Sequence, residues 1–271
     1  MEKPFAFTLK EFNAVRQKIR SLTGINLADS KDNMVYSRLA RRLRALNIDN
    51  FQAYLKYLDT HKAETEHFIN ALTTNLTSFF RESHHFDLLK EYLASHPGPL
   101  RIWCTASSSG EEPYSIAMTC AEARGSLINN VKIYASDIDS RMLERAQAGI
   151  YPIDQVEKLS PMRRKQFFHR GTGANAGKAR IIPELRQSIH FFRQNLLDSS
   201  YAIEKGIDIV FCRNVMIYFD KPTQEVILKR ILRLTKPDAW YIAGHSENFS
   251  HLSNLLRPKG KTVYLVNRGA I

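Results

Sequence analysis

The sequence predicts a small all-α N-terminal domain over residues 1–74. Over 75–271 it predicts an α/β domain: a doubly wound, mostly parallel sheet with a small inserted β-subdomain at about 163–187. Three observations carry this. Up to about Thr74 the apolar residues recur at helical spacing, with no alternating run of β-branched residues. Beyond about Glu82, short apolar strands alternate with helical stretches, the order that covers a parallel sheet on both faces. Glycines at 171, 173 and 177 flank two short apolar pieces in a stretch longer than a plain crossover needs.

The helical part reads as "LKEFNAVRQKIRSLTGI", "SRLARRLRALNI", "NFQAYLKYLDT" and "AETEHFINALTTN", broken at Thr23-Gly24, Asn47–Asn50 and Thr60-His61. Such segments pack as a small bundle. In the second part a helix at 83–95 precedes the strand "LRIWCTA", followed by a helix at 111–124, the strand "VKIYASD" and a helix at 139–148. "PMRRKQFFHRGTGANAGKARIIPELRQ" comes next, read as the hairpin or, failing that, as a surface loop. The strands "SIHFFRQ" and "IDIVFCRN", a helix at 222–235, and the strands "AWYIAGH" and "TVYLVN" complete the order.

Composition narrows the class. With 44% hydrophobic and 24% charged residues the 271-residue chain is that of an ordinary globular protein. No leader and no run of roughly 20 apolar residues is visible, so a cytoplasmic location without membrane insertion is expected. Cys104, Cys120 and Cys212 are widely spaced and lack a C-x-x-C pair, which predicts buried thiols and no metal site. A formal charge of +12 predicts an acidic partner: nucleic acid, an anionic surface or an acidic protein.

In an open α/β sheet the ligand lies outside the carboxyl ends of the strands. The residues there are Ala106–Glu112, Asp137 and Asp139, Asn195-Leu196, and Arg213-Asn214. Asp137 stands about 25 residues beyond Glu112, the spacing of a carboxylate that binds ribose hydroxyls. Capping of the following helix is its other reading, a task Asp139 can equally fill. "TASSSG" has one glycine where a dinucleotide fingerprint has three, and Glu111 and Glu112 follow it. Two carboxylates in a first helical turn suit the helix dipole. They also repel phosphate, so a nucleoside bearing positive charge fits this mouth better than NAD, FAD or ATP, and S-adenosylmethionine is such a ligand.

"TTNLTSFFRESHHF", "ASSSGEEPYSIAM", "YASDIDSRMLERAQAGIY" and "IVFCRNVMIYFDKPTQ" appear in one order over nearly the whole chain. They closely resemble the chemotaxis receptor methyltransferases, S-adenosylmethionine-dependent protein-glutamate O-methyltransferases with a Rossmann-like catalytic domain. The resemblance implies cofactor contacts at Asn75, Thr77, Arg81, Glu112, Asp137, Asn195, Leu196, Asn214 and Val215, and S-adenosylhomocysteine as product. Between Glu111 and Glu112, Glu112 is favoured.

A glutamate acceptor with pKa near 4.3 is already ionised at neutral pH, so no general base is required. Arg81 is expected to orient that carboxylate. Tyr218, four residues after Asn214, donates its hydroxyl there, lines the methyl path or packs in the core.

On the substrate side, Arg38, Arg41 and Arg42 share one helix face while Leu39, Leu43 and Leu46 form another stripe. The arginine face suits docking on an acidic chemoreceptor coiled coil; a solvated basic face is the plainer reading. The Gly171, Gly173 and Gly177 spacing resembles the hairpin loop of family members that tether to a receptor's C-terminal peptide. A monomer is expected. Methylation of another acidic protein, of RNA or of a small acid is the competing enzyme reading, and a basic nucleic-acid-binding module the non-enzymatic one.

Overall fold

The structure, a computed structural model, describes residues 4–125, 130–267 and 269; the ends of both predicted domains (1–3, 270 and 271) lie outside the described residues. Contacts divide the chain into a helical unit, reaching Thr74 and including Tyr218–Thr223, and a sheet unit of Asn75–Ile217 and Gln224–Ile271.

The helical unit contains α1 (Leu9–Thr23), α2 (Asp32–Leu46), α3 (Phe51–Thr60) and α4 (Lys62–Leu72), as the periodicity predicts. Thr8 and Glu11 close a capping box that starts α1, and Asn50 accepts the Ala53 N–H to start α3. Val15, Ile19, Leu39, Leu43, Tyr54 and Phe68 are buried. The predicted leucine stripe thus faces the core, with Leu46 half-buried at its end.

The predicted arginine face needs correction. Arg42 forks onto the buried Glu64 of α4, Nε to Oε1 at 2.9 Å and Nη2 to Oε2 at 2.6 Å, and Tyr54 Oη donates to Oε1 at 2.8 Å. Arg38 Nη1 donates to the carbonyls of Ala71 (3.1 Å) and Thr73 (2.7 Å), closing the α4 end. Arg41 alone of the three is exposed. A buried carboxylate needs a cation, and a helical wheel of α2 does not show that Glu64 lies opposite it.

The sheet unit is built on β1 (Leu100–Cys104), β2 (Val131–Asp137), β3 (Ile150–Pro152), β4 (Phe168–Arg170), β5 (Lys178–Ile181), β6 (Ile189–Arg193), β7 (Ile207–Cys212), β8 (Thr235–Ala243), β9 (Leu256–Gly260) and β10 (Val263–Val266). Its helices are α5 (His84–Ser95), α6 (Glu111–Arg124), α7 (Ser140–Ala148), α8 (Ile153–Val156), α9 (Pro161–Phe167), α10 (Pro183–Gln187) and, from Gln224 onward, α11 (Lys221–Leu232). The main sheet has the order β6-β2-β1-β7-β8-β10-β9. Its first five strands are parallel, and β10 runs antiparallel to both β8 and β9. The chain steps outward from β1 through β2 to β6 and then returns to β7. This reversal opens a crevice at the carboxyl ends of β1 and β7.

The inserted subdomain is larger than the expected hairpin: β3 joins β5 and β4 in a three-stranded antiparallel sheet, so it begins at Ile150. Strand β9, "LRPKG", and the short helices α8–α10 are absent from the sequence expectation. Two cations and a proline read as a loop, yet they are tolerated in β9 because it ends the order of the sheet.

Candidate cofactor and active site

After β1 the chain turns sharply. Ser107 N–H donates to the Ser136 carbonyl on β2 (2.8 Å), Ser108 takes φ 47° and Gly110 takes φ 101°. A Cβ on Gly110 would lie 2.8 Å from Tyr151 Oη and 2.9 Å from Ala146 Cβ, so only glycine fits at the start of α6. The two glutamates that follow diverge. Glu111 is buried and accepts the Ser109 hydroxyl at 2.7 Å; burial raises its pKa against that bond. Glu112 reaches to the strand ends, taking the Cys104 thiol at 3.1 Å and Arg213 Nη1 at 2.7 Å. Of the pair, Glu112 is the one at the crevice between β1 and β7.

Asp137 ends β2 and accepts the N–H groups of Ser108 (2.7 Å) and Asp139 (2.9 Å). Burial pushes it up to about 6, against the pull of those two N–H groups. Asp139 caps α7, accepting from Arg141 N (3.1 Å) and Met142 N (3.4 Å). Its other oxygen takes Asn75 Nδ2 at 2.9 Å. The capping role therefore belongs to Asp139, and Asp137 stays at the strand end.

Residues 75–82 form a strap along this edge. The Asn75 carbonyl accepts Ser108 Oγ at 3.3 Å. Phe79 packs edge-on against Tyr151 (4.8 Å) and Phe168 (5.6 Å) of the inserted sheet. Phe80 donates its N–H to Ser115 Oγ (2.9 Å), and the Arg163 guanidinium covers its ring at 3.7 Å. Thr77 and Arg81 are half-buried, and Arg81 Nη1 donates to the Leu76 carbonyl at 2.9 Å. Phe80 (φ 52°) and Glu82 (φ 55°), both left-handed, bracket Arg81, a conformation costing about 1–3 kcal/mol per residue unless its surroundings enforce it. Glu82 takes His245 N–H (3.1 Å) and Asn214 Nδ2 (3.4 Å) and lies 3.4 Å from Arg213 Nη2. Burial raises its pKa, but the Arg213 charge and these bonds together outweigh that and lower it.

The opposite rim follows β6 and β7. Gln194 N–H donates to the Asp137 carbonyl at 3.0 Å, which sets Asn195 and Leu196 beside β2. Asn195 Oδ1 accepts Leu197 N–H at 2.9 Å, and the Leu196 carbonyl accepts Tyr201 Oη at 2.7 Å. After β7, the N–H groups of Asn214 (3.0 Å), Val215 (3.0 Å) and Met216 (2.8 Å) converge on the buried carboxylate of Glu247, joined by Gly244 N–H at 2.5 Å. Asn214 is left-handed (φ 58°), and a Cβ on Gly244 would lie 2.4 Å from its Nδ2. Burial raises the Glu247 pKa against all four N–H bonds. Sequence reasoning missed Glu247, although the strand-end rule applied to β8 points directly at "GHSEN".

The structure thus brings Asn75, Thr77, Arg81, Glu112, Asp137, Asn195, Leu196, Asn214 and Val215 onto the strap and the strand-end loops of one unit. Tyr218 belongs by its contacts to the helical unit, where its carbonyl accepts Asn26 N–H at 2.8 Å. Gly171, Gly173 and Gly177 lie between β4 and β5 in the inserted sheet. Among the described residues no group of three His, Cys, Asp or Glu is placed to hold a metal, and no helix is long and apolar enough to cross a membrane.

The donor set fits a cationic nucleoside. Glu112 stands in the first turn of α6, where a dinucleotide fold presents N–H groups to phosphate, Asp137 ends β2, where a carboxylate suits ribose hydroxyls, and Ser107 Oγ is buried with no partner among the described residues.

Residues 10–73 match the family model described as CheR methyltransferase, all-alpha domain, and residues 75–265 match that described as CheR methyltransferase, SAM binding domain. The chain is 52% identical over 264 residues to chemotaxis protein methyltransferase 2 of Pseudomonas aeruginosa, covering 96% of this chain and 94% of that one. It is 48% identical over 270 residues to the chemotaxis protein methyltransferase of Salmonella typhimurium, covering 99% and 94%. Against that of Escherichia coli the identity is 46% over 270 residues, with 99% and 94% covered.

Proposed function

We propose that this chain, which belongs to the CheR methyltransferase family, methylates glutamate side chains in the cytoplasmic coiled coil of chemoreceptors, forming methyl esters. Its cofactor is S-adenosylmethionine and its reaction is methyl transfer in chemotaxis. The observation that carries the reading is the acid-edged crevice: Glu112 in the first turn of α6, reaching the strand ends, and Asp137 at the end of β2, with Gly110 holding the turn from β1 into α6.

When bound, the cofactor supplies a methyl group on a sulfonium, open to in-line attack by a carboxylate oxygen. The residues of this chain bind, orient and exclude water. Asp137 retains lone pairs beyond the two it offers to backbone N–H groups, and these suit ribose hydroxyls. Glu112 offers charge to the amino acid end, while Asn75, Thr77, Asn195-Leu196 and Asn214-Val215 enclose the nucleoside.

Arg81 holds the acceptor glutamate through its fork of N–H donors, so the nucleophile arrives ionised and needs no base. Positioning of this kind lowers a barrier by about 7–11 kcal/mol when the geometry is near attack. Docking rests on Arg41 and the exposed cations around it, with the loop at Gly171–Gly177 tethering a receptor C-terminal peptide. The enzyme acts as a monomer.

Incubation with methyl-labelled cofactor and receptor cytoplasmic fragments tests this. Label released by mild base is the expected result; base-stable label, or none, overturns the glutamate reading.

A further inference from the structure

One buried cation in the sheet unit has no part in the chemistry above, yet it touches two of its components. Arg213 follows β7 with a side chain 1% exposed. Nη1 donates to Glu112 Oε2 at 2.7 Å. Nη2 donates to the backbone carbonyl of Arg81 and lies 3.4 Å from Glu82 Oε2. The guanidinium sits 5.8 Å from the centre of the Phe86 ring, and that ring packs edge-on against Phe80 at 5.0 Å. Glu82 is tied in turn to His245 N–H and Asn214 Nδ2.

The fork therefore closes a bridge from the cofactor-facing carboxylate to the strap, and it meets the strap at the peptide unit between the two left-handed residues. An Arg81 peptide flanked by two strained residues has no regular secondary structure to hold it. Phe80 is anchored by Ser115 and Arg163 on one side, and Glu82 by His245 and Asn214 on the other. Arg213 supplies the bond to the carbonyl of Arg81 itself. A planar guanidinium can serve Glu112 and that carbonyl from two different nitrogens; one ammonium cannot reproduce the spacing.

We propose that Arg213 is a positioning residue for methyl transfer, locking the Arg81 backbone to the Glu112 carboxylate so that the acceptor-orienting guanidinium and the cofactor site keep one fixed geometry. This rests on the proposed reading of Arg81 as the residue that orients the acceptor. Arg213, its side chain 1% exposed, acts through Glu112 and the Arg81 backbone.

A double-mutant cycle tests it, with base-labile methyl transfer to a receptor fragment as the readout. Arg213→Lys keeps a cation among Glu82 and Glu112 but loses the fork, and kcat is expected to fall at least tenfold. On the Arg81→Ala background the same change is expected to cost less than twofold, because its route to the chemistry is already gone. A purely structural role predicts the opposite, equal losses on both backgrounds, and that result overturns the proposal. So does a kcat for Arg213→Lys within twofold of wild type.

If Arg213→Lys does not fold, Glu82→Gln removes one anchor and leaves the guanidinium in place. Its loss, expected to be about threefold or more, must likewise vanish on the Arg81→Ala background, and persistence there refutes the bridge. Failure of the wild-type chain to form esters, or full activity in Arg81→Ala, sinks the underlying reading instead, so the two failures are distinguishable.

Discussion

Glu247→Gln perturbs the best-defined polar cluster in the sheet unit. Oε1 of Glu247 accepts the N–H groups of Val215 and Met216, and Oε2 those of Asn214 and Gly244. Glutamine keeps one oxygen and turns an NH2 toward the other two donors. Whichever way it is oriented, two buried N–H groups lose their acceptor, at about 1–3 kcal/mol each. Removing a carboxylate that burial already disfavours returns part of this. The net expectation is a loss of about 2–4 kcal/mol, with the Asn214-Val215 turn released from its position.

Urea denaturation followed by tryptophan fluorescence reads the first effect, since Trp103 is fully buried in β1. Calorimetry with S-adenosylhomocysteine reads the second, and at least tenfold weaker binding at unchanged stoichiometry is expected. An unaltered urea midpoint together with unaltered affinity would show that the four-bond cluster does not shape this turn.

Asp137 has a folded-state pKa of about 6 against an ordinary 3.8. A raised carboxylate favours the protonated fold, so its contribution is full below about pH 4 and is lost as pH rises to about 6. The two-unit shift corresponds to about 3 kcal/mol. The wild-type urea midpoint is expected to fall relative to that of Asp137→Asn as the pH rises from 4 to 7; parallel curves for the two proteins contradict it.

Gly110→Ala places a Cβ 2.9 Å from Ala146 Cβ and 3.0 Å from its Cα at a φ of 101°, and is expected to cost at least about 2 kcal/mol, lowering the melting temperature by about 4–8 °C. In the helical unit, Arg42→Ala strands the buried Glu64 and is expected to cost about 3–5 kcal/mol, whereas Arg41→Ala stays within about 0.5 kcal/mol by thermal denaturation.

Particular elements show where sequence reasoning reaches. The bundle was legible because each of α1–α4 buries one stripe, and a stripe on a 3.6-residue period is a local pattern. Strands β1, β2 and β7 were legible because parallel strands covered on both faces are continuous apolar runs, and the edge strand β6 because Ile189, Phe191 and Phe192 keep it apolar. Strand β9 was not, because an edge strand answers to solvent and looks like a loop. Strand β3 was not, because three residues carry too little pattern and its partner β5 lies far along the chain.

At the site, the acidic mouth and Asp137 were legible from residue type and their place after strands, while Asn75, Thr77 and Arg81 came only through resemblance. The strap has no periodicity: it is held by Asp139, Tyr151, Phe168, Ser115 and Arg213, which reach it from separate stretches of the chain.

Charge and hydrophobic period alone determined that this protein has a helical part and a parallel sheet, and that its crevice is edged with acid. Tertiary structure alone decided which of two adjacent glutamates faces that crevice, which arginines of α2 are spent inside the bundle, and that Glu82, Glu112 and Arg213 meet. The physical reason is that a charge's partner is set by which strand lies beside which. Strand order joins residues 82, 112, 213 and 247 without any local signal in the chain between them.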